Sequence, residues 1–329
     1  MRVFFLSISI LSFLVLSLSN AWSWERKRPM RQYDYRPEQV DQFRNRQQQL
    51  KQTNTSSRSS HEIAKSDVGL QRPVEAKKKG FGYQLGFSSK IYFTNNTLSA
   101  KSGKDKFSAG IWENTLSNNF LLGAYDLRGA TFSPVVGLSY TNFIHFGDDR
   151  LKKFPLNFHS LSLNFAGIFT FGQGWSLRPS LGYIADLVEG SLSRQYSQVS
   201  PGIALGKSFS IGKAQSFLEW AMNYTFTNTP GHTISKDILD RFETGLTWGI
   251  DIPFGGFEFS PFLNLSLADY SNESKTDFTG TLGLNLTYSI TDWMALRIYS
   301  TLSSRNSSKE SRDFTRLDTG AGATLNARF

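Results

Sequence analysis

The sequence predicts an all-β fold, an antiparallel barrel of about 12 strands over residues 81–329. Three observations predict it. Apolar residues recur with period two about a dozen times after Phe81, and almost nothing reads as a long helix. Short and long connections alternate along the chain. A ten-residue pattern returns at a spacing that suits a strand–turn–strand unit.

The elements follow in order. "MRVFFLSISILSFLVLSLSNA", residues 1–21, reads as a secretory signal peptide. Arg2 precedes an apolar run from Val3 to Leu18, and the small residues Ser19 and Ala21 place cleavage after Ala21. The run is short and serine-diluted for a spanning helix. From Trp22 onward no stretch of 18 apolar residues exists.

Residues 22–80 are expected to be a basic, mostly disordered periplasmic tail. They hold 14 Lys/Arg against 7 Asp/Glu, a balance of +7 out of the chain's +9. Residues 81–329 hold 21 against 20, so the body is close to neutral. Within the tail, Val40, Phe43 and Leu50 behind Pro37 suggest a transient helix over 37–51. The chain has no cysteine, which excludes disulfides and thiolate metal sites.

"FGYQLGFSSKIYF" opens the barrel, with Phe81, Tyr83, Leu85, Phe87, Ile91 and Phe93 on one face and Gly82, Gln84, Gly86, Ser88 and Lys90 on the other. "GATFSPVVGL" (129–138), "GWSLRPSLGY" (174–183) and "GFEFSPFLNL" (256–265) align without gaps, starting 45 and then 82 residues apart. Short turns are expected at 128–130, 172–174, 207–213, 253–256 and 291–292, and long loops at 94–117, 147–156, 188–195, 228–240, 269–276 and 303–313. The strands are then 81–93, 118–127, 131–146, 157–171, 175–187, 196–206, 215–227, 241–252, 257–268, 277–289, 293–302 and 314–329. Pro134, Pro179 and Pro261 fall inside strands, five residues past a turn glycine, where a bulge or twist near the rim would absorb the missing hydrogen bond.

A soluble sandwich would bury the apolar faces, whereas a barrel in lipid turns them outward. The second reading fits better. The apolar faces carry no mid-strand charge, as in Leu218, Trp220, Met222, Tyr224 and Phe226. Gly, Ser, Thr and Asn crowd the opposite faces together with Lys90, Asp126, Arg178, Glu219, Glu243, Asp251, Arg297, Arg316, Asp318 and Arg328. Aromatic residues cluster at both strand ends, as two interfacial belts require. One belt is expected at Phe81, Phe171, Trp175, Phe254, Phe257, Trp293 and Phe329, and the other at Phe93, Phe146, Phe158, Tyr196, Phe242, Tyr270 and Phe278. Mean hydropathy is only −0.31, which a barrel permits because half of each strand is polar.

The chain ends "GAGATLNARF". Its outward set Ala323, Leu325, Ala327 and Phe329, together with the turn–aromatic–Pro repeats, makes residues 81–329 resemble bacterial outer-membrane β-barrel proteins of the porin-like class. The resemblance identifies no subfamily. It implies that the terminal residues are read by the barrel-assembly machinery, that outer-membrane lipids surround the wall, and that both termini are periplasmic with the long loops extracellular.

Function is less legible. A passive channel for small solutes is the leading expectation, with Arg178, Glu219, Glu243, Asp251, Arg297 and Arg328 lining the pore, or else pairing across it to close it. The alternative is a non-conducting structural or interaction barrel whose basic tail plugs the lumen or binds an acidic periplasmic partner. Nucleic acid is not an expected partner, and no cofactor or metal site is expected. "PGIALGKS" (201–208) has Pro201 where a phosphate loop needs glycine. His159 and Ser160 point to opposite faces, which undoes a Ser–His pair. His145 with Asp148 and Asp149 is the one hydrolase candidate, and the chain is expected not to be an enzyme.

Overall fold

The computed structural model describes residues 81–97, 99–101, 106–147, 156–189, 194–228, 240–271 and 274–329. The expected signal peptide, the tail with its 37–51 helix, and Asp148 and Asp149 lie outside the described residues. The strands are β1 (Gly82–Thr94), β2 (Ala109–Leu121), β3 (Tyr125–Leu127), β4 (Ala130–Gly147), β5 (Phe158–Phe171), β6 (Trp175–Val188), β7 (Arg194–Ile211), β8 (Ala214–Asn228), β9 (Arg241–Phe254), β10 (Phe257–Phe259), β11 (Phe262–Tyr270), β12 (Lys275–Ser289), β13 (Met294–Ser307) and β14 (Phe314–Arg328). β2 with β3, and β10 with β11, are single crossings broken in two, so 12 strands span the wall. Every crossing pairs antiparallel with its sequence neighbours, and β1 pairs with β14. The sheet therefore closes and has no free edge, which satisfies every ladder without a partner molecule.

The register puts odd and even positions on opposite faces. Outward stand the bulky apolar groups, including all five tryptophans of the described residues, Trp112, Trp175, Trp220, Trp248 and Trp293. Inward stand glycines, hydroxyls, amides and charges, among them Thr225, Thr247, Thr281 and Thr301, all buried. This is a sandwich core turned inside out. Some inward glycines are filled by a neighbouring ring: Phe217 lies over Gly249 and Phe262 over Gly283.

Each strand proline coincides with a lapse in one ladder. In an antiparallel strand a residue's N–H and C=O face the same neighbour. The Pro134 carbonyl accepts from Leu122 N–H at 2.9 Å, so its missing N–H falls at the Leu122–Ala124 break between β2 and β3. The β5–β6 pairing skips from Ala166–Ser180 to Phe169–Leu177 at Pro179. Pro261 marks the break between β10 and β11, and its carbonyl accepts from Ile250 N–H at 3.2 Å. Pro201, which as a sequence feature suggested only a failed phosphate loop, sits where the β7–β8 pairing skips from Val199–Phe226 to Gly202–Asn223.

Three boundaries differ from the sequence expectation by five residues or more. β2 begins at Ala109, inside the expected 94–117 loop. β7 runs to Ile211, so the expected 207–213 turn shrinks to Gly212 and Lys213, with Gly212 at a left-handed φ of 59°. β13 continues to Ser307. The turn-side aromatic belt faces outward as expected, with Phe81, Phe254, Trp293 and Phe329 all more than half exposed. The loop-side belt is corrected. Phe93, Phe146, Phe242 and Phe278 face outward, but Phe158, Tyr196 and Tyr270 face the lumen. Position near a strand end suggested a belt, and strand parity overrides it.

Candidate functional site: the lumen

Small inward side chains leave space. A solvent-open cavity of about 280 Å³ lies against the inner face from β2 round to β11. Its lining is dominated by hydroxyl, amide and glycine positions such as Ser139, Ser162, Asn164, Ser200, Gly202 and Asn264. These groups bond chiefly along the wall: Ser139 to Ser162 at 2.7 Å, Ser200 to Thr225 at 3.1 Å, Asn264 Nδ2 to Thr247 Oγ1 at 2.7 Å. Such a wall can exchange hydrogen bonds with water and polar solutes without rearranging.

The charges also run along the wall. Arg178 on β6 donates to Glu219 on β8 at 2.8 Å, passing over Ala204 and Gly206 of the intervening β7. Lys90 on β1 meets its direct partner Glu113 on β2 at 2.8 Å. Glu243 accepts from Arg241 at 2.8 Å and from Asn223 Nδ2 at 3.1 Å. Asp251 accepts from Ser260 Oγ at 2.7 Å. Arg297 lies over its own strand's Tyr299 at 4.7 Å. Arg328 takes the inward parity at the turn-side rim, exposed and opposite Gln84. The pairs resolved here link the same or nearby strands; none of them bridges the barrel.

Two unequal arcs of the inner wall, four crossings and seven, differ in charge. Leaving out the rim, β12–β14 and β1 present Lys90, Lys275, Arg297, Arg305 and Arg316 against Asp277 and Asp318, five cations to two acids or +3. β2–β9 present Arg178 and Arg241 against Glu113, Asp186, Glu219, Glu243 and Asp251, two to five or −3. Several cations of the first arc rest on rings: Lys275 on Tyr270 at 3.8 Å, Arg305 on Phe314 at 4.8 Å. Near the loop end Tyr92, Ile111, Phe143 and Tyr299 form a buried apolar arc inside the barrel, with Phe158 stacked on Phe143 at 4.6 Å.

Sequence reasoning missed Glu113, Arg241, Lys275, Asp277 and Arg305 as luminal charges. Most lie at strand starts or within expected loops. The Ile111, Glu113, Thr115 alternation was the available signal for β2, but Asn114 and Asn118 interrupt its apolar face. Among the described residues no group of His, Cys, Asp or Glu could hold a metal ion. His145 is on the inward face, opposite Ile111, and its backbone N–H donates to Asn157 Oδ1 at 2.8 Å. His159 faces outward, bonded to Tyr140 Oη at 2.8 Å, while Ser160 is inward and buried. Residues 201–208 lie within one strand. Ala323, Leu325 and Ala327 lie on the outer face of β14, opposite Ser89, Phe87 and Leu85.

A closed wall, apolar outside and polar inside, decides the class. The chain is an outer-membrane-type β-barrel. No family model matches it, and no curated protein does. Solved barrels resemble it only distantly. An outer-membrane channel from Pseudomonas putida F1 is 12% identical, covering 78% of this chain and 100% of that one at a TM-score of 0.47. The β domain of the Bordetella autotransporter BrkA is 12% identical, covering 75% and 99% at 0.41. The NanC porin is 10% identical, covering 73% and 98% at 0.41. At these values the likeness is one of architecture alone.

Proposed function

We propose that this barrel is a passive channel that carries small polar solutes across the outer membrane. The observation that carries the reading is the cavity of about 280 Å³ lined by hydroxyls, amides and glycines, beside ion pairs that run along the wall. Solutes would move by diffusion, exchanging hydration for luminal hydroxyl and amide contacts. The +3 and −3 arcs set a field across the path, so solutes carrying both charge signs are favoured over simple anions or cations of the same size. Arg178, Glu219, Glu243, Asp251 and Arg297 are assigned to that lining, and Arg328 to its turn-side mouth. The reading is non-enzymatic.

The same reading places the turns and both chain ends in the periplasm and the long loops outside the cell. Outer-membrane lipids cover the outer face, and Ala323, Leu325, Ala327 and Phe329 serve as the segment read by the barrel-assembly machinery. Liposome swelling with neutral sugars and amino acids of graded size tests the function. Influx that falls with solute size supports it, and swelling no faster than empty liposomes overturns it.

A second reading is favoured by one charge relationship. Residues 22–80 carry +7, and the β2–β9 arc of the lumen carries −3. The tail joins the barrel at Phe81 on the turn side, next to the lumen mouth. A tail that enters the lumen would close it, and removal of residues 22–80 would then speed swelling several-fold.

A further inference from the structure

The cavity has two chemically opposite ends. Of the luminal charges, Arg178 and Glu243 alone line it among the described residues. Each is held from behind by a buried counter-charge that does not line the cavity, Glu219 for Arg178 and Arg241 for Glu243, both at 2.8 Å. The cavity therefore meets the cation of one pair and the anion of the other. Between them lies a floor of small residues: Ala204 and Gly202 on β7, Ala221 on β8 and Gly245 on β9.

The neighbours of each charge extend its chemistry. At the β5–β6 end, Ser180 stands two residues along β6 from Arg178, and Asn164 lies diagonal to Ser180 on β5, opposite Gly182. All three line the cavity. The side chains of Ser180 and Asn164 make no bond within the wall among the described residues, and Arg178 spends one Nη2 contact on Glu219. A guanidinium carries five N–H donors, so this end offers several donors to one acceptor group. At the β8–β9 end, Asn223 is the direct register partner of Glu243. Asn223 Nδ2 donates to Glu243 Oε2 and to Thr225 Oγ1, both at 3.1 Å, which leaves the amide oxygen to accept from the cavity. The Glu243 side chain is 23% exposed.

We infer that the cavity is a binding site for short peptides with free ends, a solute class for the channel reading on which the inference rests. Arg178, Ser180 and Asn164 donate to the terminal carboxylate, and Glu243 and the Asn223 oxygen accept from the terminal ammonium. Spacing sets the length. β6 and β9 are three strand spacings apart, about 14 Å between backbones, and both charged side chains reach inward across that gap. A free amino acid, whose charges are adjacent, cannot meet both ends; two or three residues at up to about 3.5 Å each can. A volume of about 280 Å³ suits small residues, because drug-sized ligands need about 300–1,000 Å³. A neutral sugar engages neither charge as a charge, and a simple anion or cation engages one.

Titration calorimetry of the full mature chain, refolded in detergent, tests this with triglycine and its capped forms. Saturable binding of triglycine is expected, with N-acetyl-triglycine and triglycinamide each at least tenfold weaker. Asn164→Ala/Ser180→Ala touches no ion pair. It should weaken triglycine and N-acetyl-triglycine at least tenfold and leave triglycinamide unchanged, while the heat-modifiable folded band persists. Glu243→Gln should give the reverse pattern, weakening triglycine and triglycinamide but not N-acetyl-triglycine. Triglycine that binds no better than the doubly capped N-acetyl-triglycinamide overturns the inference, and so does the absence of saturable heat. Liposome swelling with sugars reads the channel separately: influx without triglycine binding removes this site and keeps the channel.

Discussion

Tyr83 and Phe329 close the barrel. Tyr83 N–H donates to the Phe329 carbonyl at 3.2 Å, Phe329 N–H donates to the Tyr83 carbonyl at 2.9 Å, and the rings stack with centroids 5.8 Å apart. Phe329, one residue past the end of β14, is thus tied to β1 through its backbone, and the alternation that runs through "ATLNARF" has a structural cause. In Phe329→Ala the backbone pair survives and only the ring contact is lost, about 0.5–1.5 kcal/mol. Thermal melting of protein refolded in detergent should therefore move little. If the residue also acts as an assembly signal, the folded band recovered from cells should fall several-fold. A loss of equal size in both assays would make the role purely structural.

The closing seam depends on Gly320. A Cβ there would run into the Ile91 carbonyl oxygen and meet the Tyr92 Cα at 2.7 Å, both on the backbone of β1. Gly320→Ala should destabilise the barrel by about 1–3 kcal/mol in urea unfolding followed by tryptophan fluorescence. Gly280→Ala, whose new methyl would meet only Leu265 at 3.7 Å, is the matched control and should change stability little.

Inside and outside can be separated at two adjacent residues. Leu246 faces outward and is exposed, whereas Thr247 faces inward and is buried. Leu246→Arg puts a charge into lipid near mid-strand and should cost about 2–4 kcal/mol. Thr247→Arg enters a lumen with cavity beside it and should cost less, with a measurable change in ion selectivity. The reverse order of destabilisation would mean that the faces are assigned wrongly.

Arg178 and Glu219 form a nearly buried pair, with 7% of each side chain exposed. Glu219→Gln should leave Arg178 without its counter-charge and cost about 1–3 kcal/mol, less than a dry pair because the cavity holds water. It should also shift reversal potentials toward anion selectivity. A double-mutant cycle with Arg178→Met measures the coupling, and a coupling of zero would show that the two charges are held independently by the wall.

Most of the fold was legible because lipid imposes a simple rule. Period two survives wherever one face is wholly apolar, as in "FGYQLGFSSKIYF" and "TGTLGLNLTYSI", and those strands lie where the sequence puts them. Legibility failed where the rule is broken. Asn114 and Asn118 hid the start of β2, and with it Glu113. Phe158, Tyr196 and Tyr270 looked like belt residues because aromatic type and strand-end position say nothing of parity. Luminal charge partners such as Arg178 and Glu219 stand 41 residues apart, and only a register that places β6 and β8 on either side of β7 brings them together. The sequence carries each charge but not the pairing, so neither the along-wall ion pairs nor the two-sided lumen could be read from it.

The most direct test of the channel reading is planar-bilayer conductance of the refolded mature protein, run beside a form lacking residues 22–80. Steady ohmic steps from the truncated form are predicted, with weak ion selectivity because the luminal arcs of +3 and −3 offset one another. Steps from the full-length protein as well would show that the tail leaves the lumen open, and steps from the truncated form alone would make the tail a plug. Folded protein that inserts and stays silent in both forms would contradict the account.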